Sequence, residues 1–269
     1  MKLHHVLTVL AGVSALVLPL SAQVFVGSDD FGSSTVSDAK WAYAFRFSGT
    51  NGLLDYSAGR LDFSKAAGAG SYVLGWDGEP STPGANPSKT SASFTTSWVA
   101  DVTVTNSIGT LTGGEFLSFG LEVAGTGAQY SSIMLVASSG GYNFRAEGSG
   151  FTPVSAATAD FTDVHLRLAW DAGTQVLNSS YSFDGGSYTP LATYNPVAQW
   201  TAGAATGGFY FEIFGNSNMA AAISTGSVYA DNFSVSAIPE PSTYAAFAGL
   251  GALGLAFWRR RQARALATA

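Results

Sequence analysis

Residues 164–186 read VHLRLAWDAGTQVLNSSYSFDGG, and this stretch decides the fold class. Val164, Leu166, Leu168 and Trp170 alternate with His165, Arg167 and Ala169, the period of two that sends one set to each face of an extended strand. Asp171-Ala172-Gly173 supplies a turn, and Gln175 to Phe183 returns, with Tyr181 and Phe183 alternating with Ser180 and Ser182. Asp184-Gly185-Gly186 turns the chain again, because glycine accepts a positive φ. Strand, turn, strand, turn describes an antiparallel meander.

The same period recurs in both directions. Trp98, Ala100, Val102 and Val104 alternate with Val99, Asp101, Thr103 and Thr105. Leu117, Phe119, Leu121 and Val123 alternate with Ser118, Gly120 and Glu122, and Tyr142, Phe144 and Ala146 with Asn143, Arg145 and Glu147. Ile133 to Val136 is apolar throughout, and Phe209 to Phe214 carries bulky groups on both sides, as central strands do. The last run, Ser227 to Ser236, places Tyr229, Asp231, Phe233 and Val235 on one face. Helical spacing is nearly absent, and about a dozen strands fit between turn residues. The expectation is an all-β chain: a two-sheet antiparallel jelly-roll sandwich forming one domain over residues 23–237. The proline-rich piece DGEPSTPGANPSKTSA, residues 77–92, reads as a surface loop.

Both ends carry different signals. Residues 1–22 have the layout of a signal peptide: Lys2, an apolar stretch from Val6 to Leu18, and Leu20-Ser21-Ala22 before the cut. Residues 238–269 hold three parts in order. Pro239-Glu240-Pro241-Ser242 is rigid, Thr243 to Trp258 has no charge, and Arg259, Arg260 and Arg261 follow. An apolar helix closed by arginines reads as a single transmembrane helix, residues 243–258, with its end in the cytoplasm. Sixteen residues reach roughly 24 Å against about 30 Å of hydrocarbon, so the span is short. The other reading is a helix buried in a soluble domain, but the arginine block would then abut the core.

The sequence Pro239-Glu240-Pro241-Ser242-Thr243, the apolar run and Trp258-Arg259-Arg260-Arg261 together resemble the PEP-CTERM sorting signal of Gram-negative bacteria. That resemblance implies export by the secretion machinery, anchoring in the inner membrane by the helix, and recognition by an exosortase. It also implies cleavage near the PEP residues and delivery to the cell surface or the extracellular matrix.

There is no cysteine, so disulfides, thiol nucleophiles and cysteine zinc sites are excluded. Residues 23–237 carry seven Lys and Arg against seventeen Asp and Glu, a charge of about −10. Such a domain repels nucleic acid and suits cations or neutral polymers, although acidity also serves plain solubility.

Asp29-Asp30-Phe31, Trp41, Gly59-Arg60-Leu61-Asp62-Phe63 and Tyr229-Ala230-Asp231-Asn232-Phe233 resemble parts of the concanavalin A-like lectin and glucanase jelly roll. The resemblance implies that the first and last strands lie side by side in one sheet. In an unbroken last strand Asp231 shares a face with Tyr229, Phe233 and Val235, and a carboxylate there needs a partner or a metal. Asp29, Asp30, Asp231 and Asn232 are therefore candidate ligands of a structural Ca²⁺; the alternative is a bulge that turns Asp231 outward. The glucanase relatives carry an E-x-D-x-x-E strand, and no such string occurs here. Glu115 and Glu122 are seven apart, on opposite faces of a regular strand, and Glu212 stands alone between aromatics. His165 is the one histidine downstream of residue 22, so histidine metal clusters are ruled out, and no G-x-S-x-G elbow accompanies it. Trp76 and Trp200 sit at strand ends beside loops, placed either to stack on sugar rings or to pack in the core. The expected function is a non-catalytic structural or interaction protein of the surface or matrix. The alternatives are a carbohydrate-binding module there, or an unusual polysaccharide-active enzyme.

Overall fold

The computed structural model describes residues 28–32, 41, 43–46, 52–68, 72–77, 91–92, 94–109, 111–125, 129–158, 163–200, 209–238 and 241–266. The signal peptide at residues 1–22 lies outside them, as do residues 78–90 of the proline-rich loop and the pair Pro239 and Glu240.

Alternation becomes sixteen strands among the described residues: β1 (Ser28–Asp29), β2 (Tyr43–Arg46), β3 (Gly52–Ser57), β4 (Arg60–Lys65), β5 (Tyr72–Asp77), β6 (Ser91–Ala92), β7 (Trp98–Asn106) and β8 (Phe116–Gly125), then β9 (Gln129–Ser138), β10 (Gly141–Gly148), β11 (Val154–Thr158), β12 (Asp163–Asp171), β13 (Val176–Ser182), β14 (Thr189–Tyr194), β15 (Phe209–Ser217) and β16 (Val228–Ala237). A short helix, α1 (Pro196–Gln199), follows β14, and a long one, α2 (Pro241–Leu266), follows β16. Sheet I runs β14-β13-β12-β7-β16-β4-β3, with β1 also paired to β16. Sheet II runs β11-β10-β9-β8-β15-β5-β2, with β6 also paired to β15. Every pairing is antiparallel, and the meander read at residues 164–186 is β12 and β13 continuing into β14. The first and last strands do lie together, Ser28 opposite Ser234 and Asp29 opposite Phe233.

The core is the space between the sheets. Val164, Leu166, Leu168 and Trp170 of β12 are buried, as are Trp98, Ala100, Val102 and Val104 of β7. Leu117, Phe119, Leu121 and Val123 of β8 face them from sheet II. Rings bridge the layers: Trp98 meets Phe211 edge-on at 5.1 Å, and Phe63 stacks on Phe119 at 5.9 Å. Gly215 makes room for this, since a Cβ there would come within 2.6 Å of the Phe63 ring. β9 is buried on both faces from Ser131 to Leu135, consistent with its interior place in sheet II.

The last strand departs from its expected register. Pairing with β7 slips between Asp231 and Ser234, and Asn232 sits at φ 52°, a bulge in the left-handed region. Val228 and Ala230 point inward before the bulge, Phe233 and Val235 after it. Tyr229 and Asp231 therefore leave the face they were expected to share with Phe233. One extra residue spares the protein a carboxylate among aromatics.

At the other end, α2 does not stop at Trp258 but carries Arg259, Arg260 and Arg261 in helical conformation. Leu250, Leu253, Leu255, Phe257 and Trp258 are exposed along it. Among the described residues no helix is long and apolar enough to cross a membrane. The uncharged run at 243–258 has sixteen residues, and glycines at 249, 251 and 254 dilute its hydropathy.

Candidate functional site

Strand period and register bring acidic side chains into one line on the outer face of sheet II. On β8 the odd residues fill the core, so Ser118, Gly120 and Glu122 face away from it. On β15 Phe211 and Ile213 point inward, so Tyr210, Glu212, Phe214 and Asn216 face outward. Glu122 lies directly opposite Glu212, and on its other side opposite Ser132 of β9. Ser132 in turn faces Glu147 of β10, while Glu212 faces position 77 of β5, an aspartate. Directly opposed residues of an antiparallel pair have Cβ atoms about 5 Å apart, so Glu122 and Glu212 are immediate neighbours. The sequence spacing that set Glu212 alone concealed this, because the pairing is long-range. Glu115, weighed with Glu122 in the sequence, precedes β8 and accepts a hydrogen bond from the Ala220 N–H at 2.9 Å.

The row is electrostatically unusual. Burial, then the charge of Glu147, pushes the Glu122 carboxyl up to about 8, so it holds a proton at neutral pH. A neutral carboxyl donates one hydrogen bond and accepts others, whereas an ionised carboxylate only accepts. Arg145 pairs with Glu147 at 2.7 Å and neutralises the far end of the row. Tyr130 lies two residues before Ser132 on β9, its hydroxyl pKa raised by burial, Glu147 and Glu122 against the opposing pull of Arg145. The line of polar groups is thus flanked by the half-buried rings of Tyr210, Phe214 and Tyr130.

The outer face of sheet I holds a tighter cluster. Arg167 of β12 donates to both Asp101 oxygens, from Nε at 2.7 Å and Nη2 at 3.1 Å. The Tyr188 hydroxyl donates to the same carboxylate at 3.0 Å, and the guanidinium lies 3.6 Å over the Tyr188 ring. His165, one ladder step away, shares a hydrogen bond with the Thr103 hydroxyl at 3.3 Å. These groups satisfy one another, and their role is to tie β7, β12 and the turn after β13.

The candidate calcium ligands do not converge. Asp29 is buried, with Oδ1 accepting from the Phe31 N–H at 3.0 Å and Oδ2 from the Trp41 indole N–H at 2.8 Å. Asp30 points the opposite way and accepts from the Gly32 N–H. Asp231 has a raised pKa: burial and the charge of Asp30 lift it, against the Asn232 N–H and Arg60. Asp30 and Asp231 are thus neighbours, whereas Asp29 is committed to nitrogen donors and Asn232 gives its N–H to Asp231 at 2.7 Å. Among the described residues no group of three or more His, Asp or Glu side chains is placed to hold a metal ion. Of the tryptophans proposed to meet sugar, Trp200 is only 4% exposed and packs edge-on against Phe94 at 5.5 Å. It is a core residue, because α1 folds it inward, and it offers no free ring face. The backbone of Trp76 lies in β5, opposite Ala44 and Ile213, and its side chain is outside the described residues. In the tail, residues 241–243 begin α2, and Arg259 and Arg260 are exposed on it.

The tail matches the PEP-CTERM protein-sorting motif over residues 237–261. No curated protein matches the chain in sequence. Among solved structures, GH43B of the Bacteroides ovatus xyloglucan PUL aligns at 14% identity and a TM-score of 0.53, over 80% of this chain and 39% of that one. The metal-free lectin I-B4 of Griffonia simplicifolia aligns at 10% identity and a TM-score of 0.46, over 79% of this chain and 98% of that one. The CBM2 module of the evolved Dit of Lactobacillus casei BL23 phage J-1 aligns at 11% and 0.49, over 79% and 94%. At these identities the likeness is one of fold. Residues 237–261 are a PEP-CTERM sorting motif, which implies export and exosortase processing, and they follow a two-sheet antiparallel β-sandwich similar in fold to the GH43B structure.

Proposed function

We propose that this chain is a non-catalytic interaction protein of the cell surface or extracellular matrix that binds neutral polysaccharide on the outer face of sheet II. The observation that carries the reading is the row Glu212-Glu122-Ser132-Glu147, crossed by three half-buried aromatic rings. Sugars ask for this combination: flat rings to cover C–H faces, and fixed donors and acceptors for hydroxyls. A signal peptide at 1–22 starts export, the helix at 243–258 with its arginines halts the precursor at the inner membrane, and exosortase releases it. The test is a pull-down on insoluble polysaccharides and a glycan array, with Tyr210→Ala and Phe214→Ala as site variants. Retention of full binding by both variants would remove the site, and absence of any glycan binding by the wild type would remove the reading.

A second reading rests on one specific feature. Glu122, protonated, lies directly opposite Glu212, so a proton donor and a second carboxyl group stand on neighbouring strands, and glycoside hydrolysis uses such a pair. Release of reducing ends from a polysaccharide, abolished by Glu122→Gln and by Glu212→Gln, would replace the non-catalytic assignment with this one.

A further inference from the structure

At one end of the sandwich three buried polar atoms have no hydrogen-bond partner: Ser131 Oγ, Tyr194 Oη and Trp200 Nε1. Their residues are 0%, 7% and 4% exposed. They come from β9, β14 and the end of α1, yet all gather about one turn, Gly148 to Phe151. Ser131 pairs with Gly148 across the β9–β10 ladder. Tyr194 stacks on Phe151 at 4.1 Å with the rings 11° from parallel. Phe151 folds back onto Gly148, where a Cβ would meet its ring at 2.5 Å, so that only glycine fits. Gln199, the residue before Trp200, donates from Nε2 to the Gly150 carbonyl at 3.3 Å.

Buried donors are rarely left unmet, and three around one turn call for a common occupant. We infer that this end of the sandwich holds an internal site for one neutral hydroxyl group, bound by Ser131 Oγ, Tyr194 Oη and Trp200 Nε1. The chemistry of the three groups defines the guest. An indole N–H only donates, so the guest must accept, and the two hydroxyls complete either role. Among the described residues the charge that acts on Tyr194 is that of Glu147, which repels an anion; burial and that same charge also raise the Tyr194 pKa. Water and the hydroxyl of a polyol share this chemistry. The site lies inside the sandwich and is independent of the outer-face carbohydrate reading.

Full-length protein released from the membrane, and its Tyr194→Phe and Ser131→Ala variants, decide the matter by thermal melting and by water–protein cross-relaxation at the Trp200 Hε1. A filled site makes the tyrosine hydroxyl a working partner, so Tyr194→Phe lowers Tm by roughly 2–4 °C with the ring stack kept. The Trp200 Hε1 then shows a cross-peak to a long-lived bound hydroxyl proton. Titration with glycerol separates the sources: a saturating Tm rise in wild type, lost in Tyr194→Phe, names a polyol, and an equal rise in both names water. Unchanged or raised Tm in both variants, with no cross-peak at the indole, overturns the site, because deleting a truly orphaned hydroxyl relieves the fold.

Discussion

Glu122 of β8 and Glu212 of β15 stand directly opposite one another, though ninety residues separate them in sequence. Burial, and after it the charge of Glu147, disfavours the ionised form of Glu122, and the proton stays on it. The folded chain keeps that proton up to about pH 8, while an unfolded glutamate loses it near 4.5.

Stability therefore falls as pH rises between those two values and levels off above the higher one. Glu122→Gln removes the titration. The variant should match wild type near pH 4.5 and exceed it by about 1–3 kcal/mol at pH 8.5. Urea melts at the two pH values measure the difference, and equal gains at both would show that Glu122 does not hold the proton.

Asp29 fastens the first strand by accepting from the Phe31 N–H and the Trp41 indole. Asp29→Ala strands both donors in the core and should cost about 2–4 kcal/mol in chemical denaturation. The same melt repeated with a chelator should not move, because the carboxylate is filled by nitrogen donors. A chelator-dependent Tm would return calcium to this corner.

The hairpin between β3 and β4 turns through Ala58 and Gly59, at φ 51° and 78°. Glycine is at ease there, and alanine is strained. Ala58→Gly should stabilise the protein by about 0.5–1 kcal/mol, and a loss of stability on this exposed turn would contradict the strain.

Burial, then the adjacent Asp101 carboxylate, pushes the Tyr188 hydroxyl up to about 12. The folded state keeps a proton that an unfolded tyrosine gives up near 10, so stability drops as pH climbs from 10 to 12. Ultraviolet titration near pH 11 should count as many tyrosinates in wild type as in Tyr188→Phe, the wild type gaining one more only near pH 12. Arg167→Lys keeps the charge but loses the two-pronged contact and the ring stack, and should cost about 1 kcal/mol.

Much of this was legible in the sequence. The alternation at Val164–Trp170 and Leu117–Val123 named the buried faces because side-chain direction in a strand depends only on parity. The PEP core and its arginines were readable because a sorting signal is a contiguous word. Glu115 and Glu122, seven apart, fall on opposite faces by parity, whereas the partner that Glu122 does face, Glu212, arrives by register. For Trp200, at a strand end beside a loop, the sequence leaves sugar stacking and core packing open, because nothing local shows that α1 turns its ring inward against Phe94. The bulge at Asp231 and Asn232 was open in the sequence, and pairing with β7 resolved it.

Local chemistry, then, settled what each segment is: strand, turn, apolar helix or sorting tail, since propensity, parity and proline geometry act within a few residues. The tertiary structure alone decided what meets what. Glu122 faces Glu212, Asp29 reaches Trp41, and Tyr194 and Ser131 gather at one turn because cross-strand register and the closing of two sheets are set by summed packing over the whole core.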